Sequence, residues 1–479
     1  MKKIFKSIFV LAVFAGGIIS CMEDTLDDPK PNQITDEVIF GSVDAVNSYF
    51  SGIYRYMRRQ YQYAEDTSST DAGGLYSIYF ARSVKGNDLI QAPTWYLNDY
   101  AHLNREPIYR RTKVNWQFLY DIANKANIMI AGVEKSTNLS ASEKVQALGE
   151  ARALRALAYF ELTIDFQNTY TEDNTKVSFP IYTEPNPKES KAFSTLKEVY
   201  DFIKADLEYA VTNLSDSRLN KTHIDKQVAQ GIYARVLLVT QDDWAKCEKM
   251  ANAAYGGSPS SVLSPDDYSN GFDNMDDKEW MWAIYQADDQ SNYYFMAPHA
   301  FMDHEADAYF GTYINSNFVS QFTATDVRNT FYNKYNSATP YRKYVSNKFA
   351  FSFSSNAPLM RTPEMILTEA EAKYWQGNEA GAKTLLDAVR INRDAAAVAS
   401  TETGTALLNK ILLERRKELY GEIGIEFFDL KRLRMPMKRD AVHRIVVDLD
   451  KDDKRYYLKI PQAEIDANPY IDESINANR

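Results

Sequence analysis

Residues 76–98 interleave aromatic rings with planar hydrogen-bonding side chains, the combination that a sugar-binding site needs. A sugar ring has an apolar C–H face that can stack on an aromatic ring, and its hydroxyl groups pair with amides, carboxylates and guanidinium groups. We therefore predict an open platform whose floor is Trp95 and Tyr96, in a polar loop after Pro93. The candidate glycan-binding residues of this segment are Tyr76, Tyr79, Arg82, Asn87, Asp88, Trp95, Tyr96 and Asn98.

A second aromatic-rich segment offers another location for such a platform. Its candidate glycan-binding rings are Tyr293, Tyr294, Tyr309 and Tyr313. Trp280 and Trp282 lie in an alternating, strand-like run, KEWMWAIYQ, and are predicted to be core residues instead. Burial in the core is the competing interpretation for every ring taken singly, because aromatic side chains are mostly buried.

Recognised catalytic motifs are absent from the sequence. It contains no G-x-S-x-G, no glycine-rich phosphate loop and no C-x-x-C. Carboxylate pairs are abundant, but no two of them are singled out for acid–base catalysis. The sequence therefore predicts a binding protein that is not an enzyme and needs no cofactor.

Metal-binding patterns are incomplete. His299, Asp303 and His304 are candidate ligands, but the zinc-protease pattern that begins at His304 lacks its second histidine. Residues 266–277 partly imitate a calcium loop, yet Tyr268 takes a ligand position and Asp277 replaces the usual glutamate. We predict an ordinary acidic loop and no metal site.

Helical periodicity dominates the segments between these regions. Apolar residues recur at three- and four-residue spacing in pairs of segments with short turns between them, which favours a solenoid of helical repeats. Thr195 and Glu198 form a capping-box pattern, and Gly377-Asn378 is a helix stop. The predicted helices cover residues 116–133, 142–165, 195–214, 226–240, 243–254, 363–375 and 379–392. Roughly residues 60–115 and 256–360 lack helical stripes and are predicted to be irregular.

The stretch 407–434, LLNKILLERRKELYGEIGIEFFDLKRLR, alternates acids and bases beside bulky aromatic residues. We predict a partly buried ion-pair network there, in which Glu414, Arg415 and Asp429 are paired. A solvated, salt-bridged helix face is the alternative.

The first twenty residues have the features of a bacterial lipoprotein signal. Lysines precede a short apolar run that ends in Ile-Ile-Ser before Cys21, which resembles a lipobox. Cys21 is therefore the predicted lipidation site, and residues 21–37 are a predicted flexible tether. The formal net charge of the whole chain is −10, which argues against nucleic acid as a partner.

Several segments together resemble the SusD-like (RagB/SusD) family of outer-membrane lipoproteins. The similar segments are GEARALRALAYFEL at 149–162, RTPEMILTEAEAKYWQGN at 361–378, ERRKEL with FFDLKR at 414–432, and LKIPQAEIDANPYI at 458–471. The resemblance covers residues 34–471 and implies a mainly α, TPR-like solenoid of helical pairs with long, aromatic-rich excursions. It also implies a body at residues 38–479, with an N-terminal part at 38–255 and a C-terminal part at 256–479.

The same resemblance implies a glycan-binding protein that hands oligosaccharides to a SusC-like, TonB-dependent transporter. Glu23 and Asp24 resemble the surface-export signal of such lipoproteins, which implies lipid anchoring on the outer face of the outer membrane. A peptide-binding member of the family and a surface glycoside hydrolase are the alternatives.

Overall fold

The computed structural model describes residues 36–58, 72–288 and 298–479. The predicted signal peptide, Cys21, Glu23 and Asp24 lie outside these residues, as do Tyr293 and Tyr294. Within them helices dominate, and the strands are short and occur in pairs.

The α-helices of the described residues form most of the protein, and none of them is both long and apolar enough to cross a membrane. They are α1 (Asp36–Ile39), α2 (Val43–Arg58), α3 (Leu75–Ser83), α4 (Leu97–Tyr100), α5 (Arg110–Lys135), α6 (Ala141–Phe166), α7 (Leu196–Asn213), α8 (Lys226–Thr240), α9 (Trp244–Tyr255), α10 (Pro259–Val262), α11 (His299–Met302), α12 (Ser316–Val319), α13 (Thr362–Trp375), α14 (Glu379–Arg393), α15 (Gly404–Leu419), α16 (Ile425–Arg432) and α17 (Gln462–Ala467).

The long helices form one continuous stack. Each helix from α5 to α9 packs on the next, α9 packs on α13, and α13 packs on α14 and α15. The irregular residues 256–361 are therefore an excursion from a stack that continues on either side of them. The predicted mainly α solenoid of helical pairs is confirmed.

Local hydrogen bonds explain where these helices begin. The predicted capping box at Thr195 is present: its hydroxyl accepts from Glu198 N, and the Glu198 carboxylate accepts from Thr195 N. Gly377 has φ of 79°, a left-handed conformation that favours glycine, and the Asn378 side chain caps α14 by accepting from Gly381 N.

Helix α3 lies in a segment that was predicted to be irregular. Its nine residues are all buried, so its sequence has no alternation between an apolar and a polar face. Periodicity detects amphipathic helices only, because a helix buried on every side has no stripe. The interpretation of residues 60–115 as irregular throughout is therefore wrong for α3.

The described strands form two-stranded antiparallel pairs. The strands are β1 (Leu89–Gln91), β2 (Trp280–Ile284), β3 (Thr312–Ile314), β4 (Phe331–Tyr332), β5 (Val345–Ser346), β6 (Ala357–Arg361), β7 (Met437–Lys438) and β8 (Asp448–Leu449). The buried β2, which contains Trp280 and Trp282, pairs with β6, and this confirms the predicted core strand. A backbone hydrogen bond from Ile314 N to Tyr344 O (2.9 Å) joins the pair β1–β3 to the pair β4–β5.

A buried charged network surrounds Glu418 on α15. Its carboxylate accepts hydrogen bonds from three buried guanidinium groups, those of Arg328, Arg361 and Arg393, at 2.9–3.1 Å. Burial by itself raises the pKa of Glu418, but the three cations lower it well below its usual 4.5. Glu418 therefore stays ionised inside the protein.

The predicted pairing within 407–434 is confirmed, since Glu414, Arg415 and Asp429 are all buried. Arg415 Nε lies 3.0 Å from Asp429 Oδ2, and Glu414 Oε1 lies 2.6 Å from Arg328 Nη1. The alternative of a solvated helix face is wrong, because these side chains are buried and the partner of Glu414, Arg328, lies outside the stretch.

Candidate functional site

The structure places Tyr76, Tyr79 and Arg82 inside the protein, on α3. The Tyr79 hydroxyl donates to Glu161 Oε1 (2.8 Å), and Arg82 Nε donates to Asp165 Oδ1 (2.8 Å). The expectation that these three side chains contact a glycan is wrong: Tyr79 and Arg82 hold α3 against α6, and the Tyr76 hydroxyl donates to Arg58 O of α2 at 2.9 Å.

Asn87 and Asp88 likewise form hydrogen bonds and an ion pair within the protein. The Arg416 guanidinium pairs with the buried Asp88 carboxylate, with Arg416 Nε 3.0 Å from Asp88 Oδ2. The Glu426 carboxylate accepts from the backbone N–H of Asn87 (2.6 Å) and of Asp88 (3.1 Å). A Cβ on Gly86 would overlap that carboxylate, so the Glu426 carboxylate can occupy this position only beside a glycine. Asp88 is therefore not the predicted hydroxyl-reading group, and Asn87, which is half-buried, is largely committed to Glu426.

Trp95 and Tyr96 differ in burial, although they are adjacent in the chain. The Tyr96 ring is fully buried, lies edge-on to Phe80 and Phe301 with centroids 4.9 and 4.8 Å away, and its hydroxyl is 2.8 Å from Ser77 Oγ. Trp95 is 43% exposed, and Asn98 is exposed as well. Tyr96 therefore cannot be part of a platform floor, whereas the predicted exposure of Trp95 is confirmed.

The strand pair β1–β3 brings the two predicted aromatic segments together. Gln91 pairs with Thr312, and the N–H of Ala92 donates to Gly311 O at 2.7 Å. Gly311 is close to the Thr94 side chain, so the loop that carries Trp95 adjoins the loop of residues 303–311. Two segments that are more than two hundred residues apart in sequence thus share one edge of the protein.

Rings from these loops and from the β4–β5 segment form what we call the aromatic face, which consists of Trp95, Tyr309, Phe310, Tyr313, Tyr335 and Tyr341. The Tyr313 centroid lies 6.4 Å from that of Tyr335 and 5.9 Å from that of Tyr341. Tyr313 is buried beneath the others, and Tyr309 is half-buried and stacked on Phe301 at 4.8 Å. Phe310 and Tyr335 are 37% and 44% exposed.

Phe310 is held in an unusual backbone conformation. Its φ is 48°, in the left-handed region that bulky side chains seldom adopt. The backbone on either side is fixed, because Tyr309 N donates to Ala300 O (2.9 Å) and Gly311 N donates to Phe301 O (3.1 Å). Such strain persists only where the surrounding structure imposes it, and functional sites are where it is concentrated.

His304 orients the hydroxyl of Tyr335. His304 Nε2 lies 2.8 Å from Thr312 O, which can only accept, so Nε2 carries the proton. His304 Nδ1 then accepts from the Tyr335 hydroxyl at 3.0 Å. Burial lowers the pKa of His304 below its usual 6.5 and keeps the ring neutral. The lone pairs of the Tyr335 oxygen remain available to an incoming hydroxyl.

The buried network fixes the ends of the segment that carries Tyr335 and Tyr341. Before β4, Arg328 pairs with Asp326 at 2.9 Å and with Glu414; after β5, Lys348 Nζ pairs with Glu422 Oε1 at 2.7 Å. Residues 414–432 thus hold both ends of this segment through ion pairs. Through Arg416 and Glu426 they also hold Asn87 and Asp88, directly before β1.

The candidate metal ligands have other partners. His299 Nε2 donates to Phe272 O, and Asp303 accepts from Glu305 N (2.7 Å) and Phe351 N (2.7 Å). Burial lowers the pKa of His299 to about 4. Across the described residues there is no group of three His, Cys, Asp or Glu side chains that could hold a metal ion.

Comparison with known proteins identifies the chain's family. A family model described as "SusD family" matches residues 265–476. A second model, described as "Starch-binding associating with outer membrane", matches residues 30–238. The chain belongs to the SusD-like family. The outer membrane is thus part of the second model's own description, and the two matches together cover most of this SusD-like chain.

Relatives with known sequences or structures agree with this assignment. A SusD-like protein of Bacteroides ovatus is 29% identical over 242 residues, which is 50% of this chain and 40% of that protein, so the match spans less than half of this relative. A SusD-like carbohydrate binding protein of Bacteroides vulgatus has a TM-score of 0.82 at 22% identity and covers 91% of this chain and 98% of its own. Surface glycan-binding protein A of Bacteroides fluxus has a TM-score of 0.70 at 19% identity, covering 90% and 98%.

Sequence reasoning missed several residues of the aromatic face in this SusD-like protein. Phe310, Tyr335 and Tyr341 were not singled out, nor was His304 as a partner of Tyr335. A signal exists in FYNKYNSATPYRKY at 331–344, where tyrosines alternate with Asn, Ser, Pro and basic residues in a segment without helical periodicity.

Proposed function

We propose that this SusD-like chain is a cell-surface glycan-binding lipoprotein without enzymatic activity. The observation that supports it most is the aromatic face, where Trp95, Phe310 and Tyr335 present partly exposed rings from adjoining loops. The names of the B. vulgatus and B. fluxus neighbours, which refer to carbohydrate and glycan binding, agree with it.

The chemistry of the face suits a sugar chain. Exposed rings offer flat apolar surface to the C–H faces of sugars, and the oriented Tyr335 hydroxyl offers an acceptor to a sugar hydroxyl. The net charge of −10 repels anionic polymers at long range, so neutral oligosaccharides are the expected ligands. A shallow, wet surface of this kind binds at micromolar to millimolar strength.

Delivery to a SusC-like, TonB-dependent transporter is the second part of the proposal. Lipidation of Cys21 would hold the protein at the outer membrane, and Glu23 and Asp24 would direct it to the exterior. The description of the family model for residues 30–238, which refers to the outer membrane, agrees with this location. Co-purification of the untagged transporter with a tagged copy of this chain from native membranes is the direct check.

The Tyr335→Ala variant tests the glycan site. A glycan array identifies the oligosaccharide, and calorimetry then compares wild type with Tyr335→Ala and with Tyr470→Ala, a control at an exposed tyrosine outside the face. We expect Tyr335→Ala to weaken binding about tenfold, as the loss of roughly 1.4 kcal/mol implies, with an unchanged melting temperature. Binding to a peptide array but not to the glycan array would favour the peptide-binding alternative. Equal affinity of all three proteins would refute the assignment of the site.

A further inference from the structure

A concave site lies on the helical stack, apart from the aromatic face. It is a cleft of about 460 Å³ between α5, the segment 180–187 and the start of α17. We call it the α5 cleft. It shares no lining residue with the aromatic face, and its volume falls within the range of small-molecule binding pockets.

Three aromatic rings form one wall of the α5 cleft. The centroids of Trp116 and Tyr120 are 5.0 Å apart, and those of Tyr120 and Tyr182 are 5.9 Å apart. The Tyr120 hydroxyl donates to Pro180 O at 2.8 Å, and the Tyr182 hydroxyl accepts from Lys191 N at 3.3 Å. Because both hydroxyls are fixed by the protein, these tyrosines contribute mainly ring surface to the cleft.

Side-chain amides line the cleft beside the rings. Asn124 and Asn186 bond reciprocally: Asn124 Nδ2 donates to Asn186 Oδ1 (2.9 Å), and Asn186 N donates to Asn124 Oδ1 (2.7 Å). Asn186 lies between two prolines and has φ of 48°, so this arrangement is set before any ligand arrives. Among the described residues, neither Asn186 Nδ2 nor the Gln117 side chain has a hydrogen-bond partner, and both residues line the cleft.

We propose that the α5 cleft is a second oligosaccharide-binding site, independent of the aromatic face; this rests on the proposed glycan-binding function. Fixed rings beside free amides match the apolar faces and hydroxyls of a neutral sugar chain. The charged lining residues are one base, Lys113, and two acids, Asp121 and Glu464. Because both signs are present, the lining gives no preference for an ionic ligand.

The backbone of the cleft argues against a peptide ligand. An extended peptide is recognised largely through main-chain hydrogen bonds. Three carbonyl groups beside the cleft already accept protein donors: Pro180 O from Tyr120, and Tyr182 O and Glu184 O from Asn127. Free side-chain amides and ring surface therefore remain as the main recognition elements.

The test isolates the cleft from the aromatic face. The probes are maltoheptaose, cellohexaose and mannohexaose, titrated into full-length Tyr335→Ala protein, and into the same protein with Gln117→Ala and Asn186→Gly added. Asn186→Gly keeps the left-handed backbone while it removes the amide. A control protein carries Gln227→Ala in place of the two cleft changes. Gln227 is a half-buried residue of α8 and does not line the cleft. All proteins are first shown to have the same melting temperature.

We expect at least one probe to bind the Tyr335→Ala protein, to protect amides at 113–127 from hydrogen exchange, and to bind about tenfold more weakly after the cleft changes. The Gln227→Ala control should bind like its parent. Binding that disappears with Tyr335→Ala alone, or that ignores the cleft changes, overturns the second site and leaves the proposed function standing. Wild-type protein that binds no probe, in solution or on the array, overturns both.

Discussion

At the scale of single residues, Trp95 and Tyr96 are neighbours with opposite environments. Trp95→Ala should leave the free energy of unfolding within about 0.5 kcal/mol of wild type, because an exposed ring loses few contacts. Glycan binding should fall sharply in calorimetry. Tyr96→Ala is the matched control: it removes a buried ring and should cost on the order of 3–5 kcal/mol in urea unfolding. A strongly destabilised Trp95→Ala protein would contradict this difference.

His304 supplies a second prediction at this scale, concerning pH. Burial lowers its pKa below 6.5, so the ring is mainly neutral at pH 8 and stays mainly neutral as the pH falls to 7. Tyr335 therefore keeps its donor bond to Nδ1, and glycan affinity should be the same at both pH values. His304→Phe removes that acceptor and should weaken binding. A loss of affinity centred near pH 6.5 in the wild-type protein would show instead that the imidazole ionises.

At the scale of elements, one carboxylate on α15 joins segments that are distant in sequence. Glu418→Gln leaves three buried guanidinium groups without their shared anion, which should cost on the order of 3–5 kcal/mol of unfolding free energy. Asp201→Asn, the same acid-to-amide change in an exposed pair with Lys197, should have a far smaller effect in the same urea titration. Similar costs for the two variants would mean that the network contributes little.

The elements that were predicted and those that were missed differ in how their residues are buried. Helices α5, α7 and α9 have one face in the core, so the periodicity of apolar residues marks them. Helix α3 is buried on all sides and lacks that mark. The β1–β3 and β4–β5 pairs have two or three residues per strand, too few for an alternating pattern to stand out.

At the scale of the whole molecule, the proposed anchoring rests on residues that precede the described ones. Cys21→Ala should release the protein from membranes, because it removes the proposed lipid anchor, and membrane fractionation checks this. Changing Glu23 and Asp24 to Ala should leave the protein membrane-bound but shielded from protease added to intact cells. Retention of the Cys21→Ala protein in membranes would argue against lipidation at this cysteine. The division into parts 38–255 and 256–479 also stays a prediction.

The sequence by itself determined the family, the helical stack and the buried network of 407–434. Short-range periodicity, or motifs that are contiguous in the chain, predicted each of these features. It also predicted that the Trp95 side chain is exposed, because a polar loop after a proline favours exposure.

Only the tertiary structure decided which other rings are available to a ligand. Tyr96 and Trp95 are adjacent and chemically alike, and what separates them is packing against Phe80 and Phe301, which are distant from each other in sequence. Arg82 and Asp88 likewise look like sugar-binding groups until their partners on α6 and α15 are known. The aromatic face exists because β1 pairs with β3 more than two hundred residues later. No local pattern encodes that pairing, since its stability comes from contacts that form only in the folded chain.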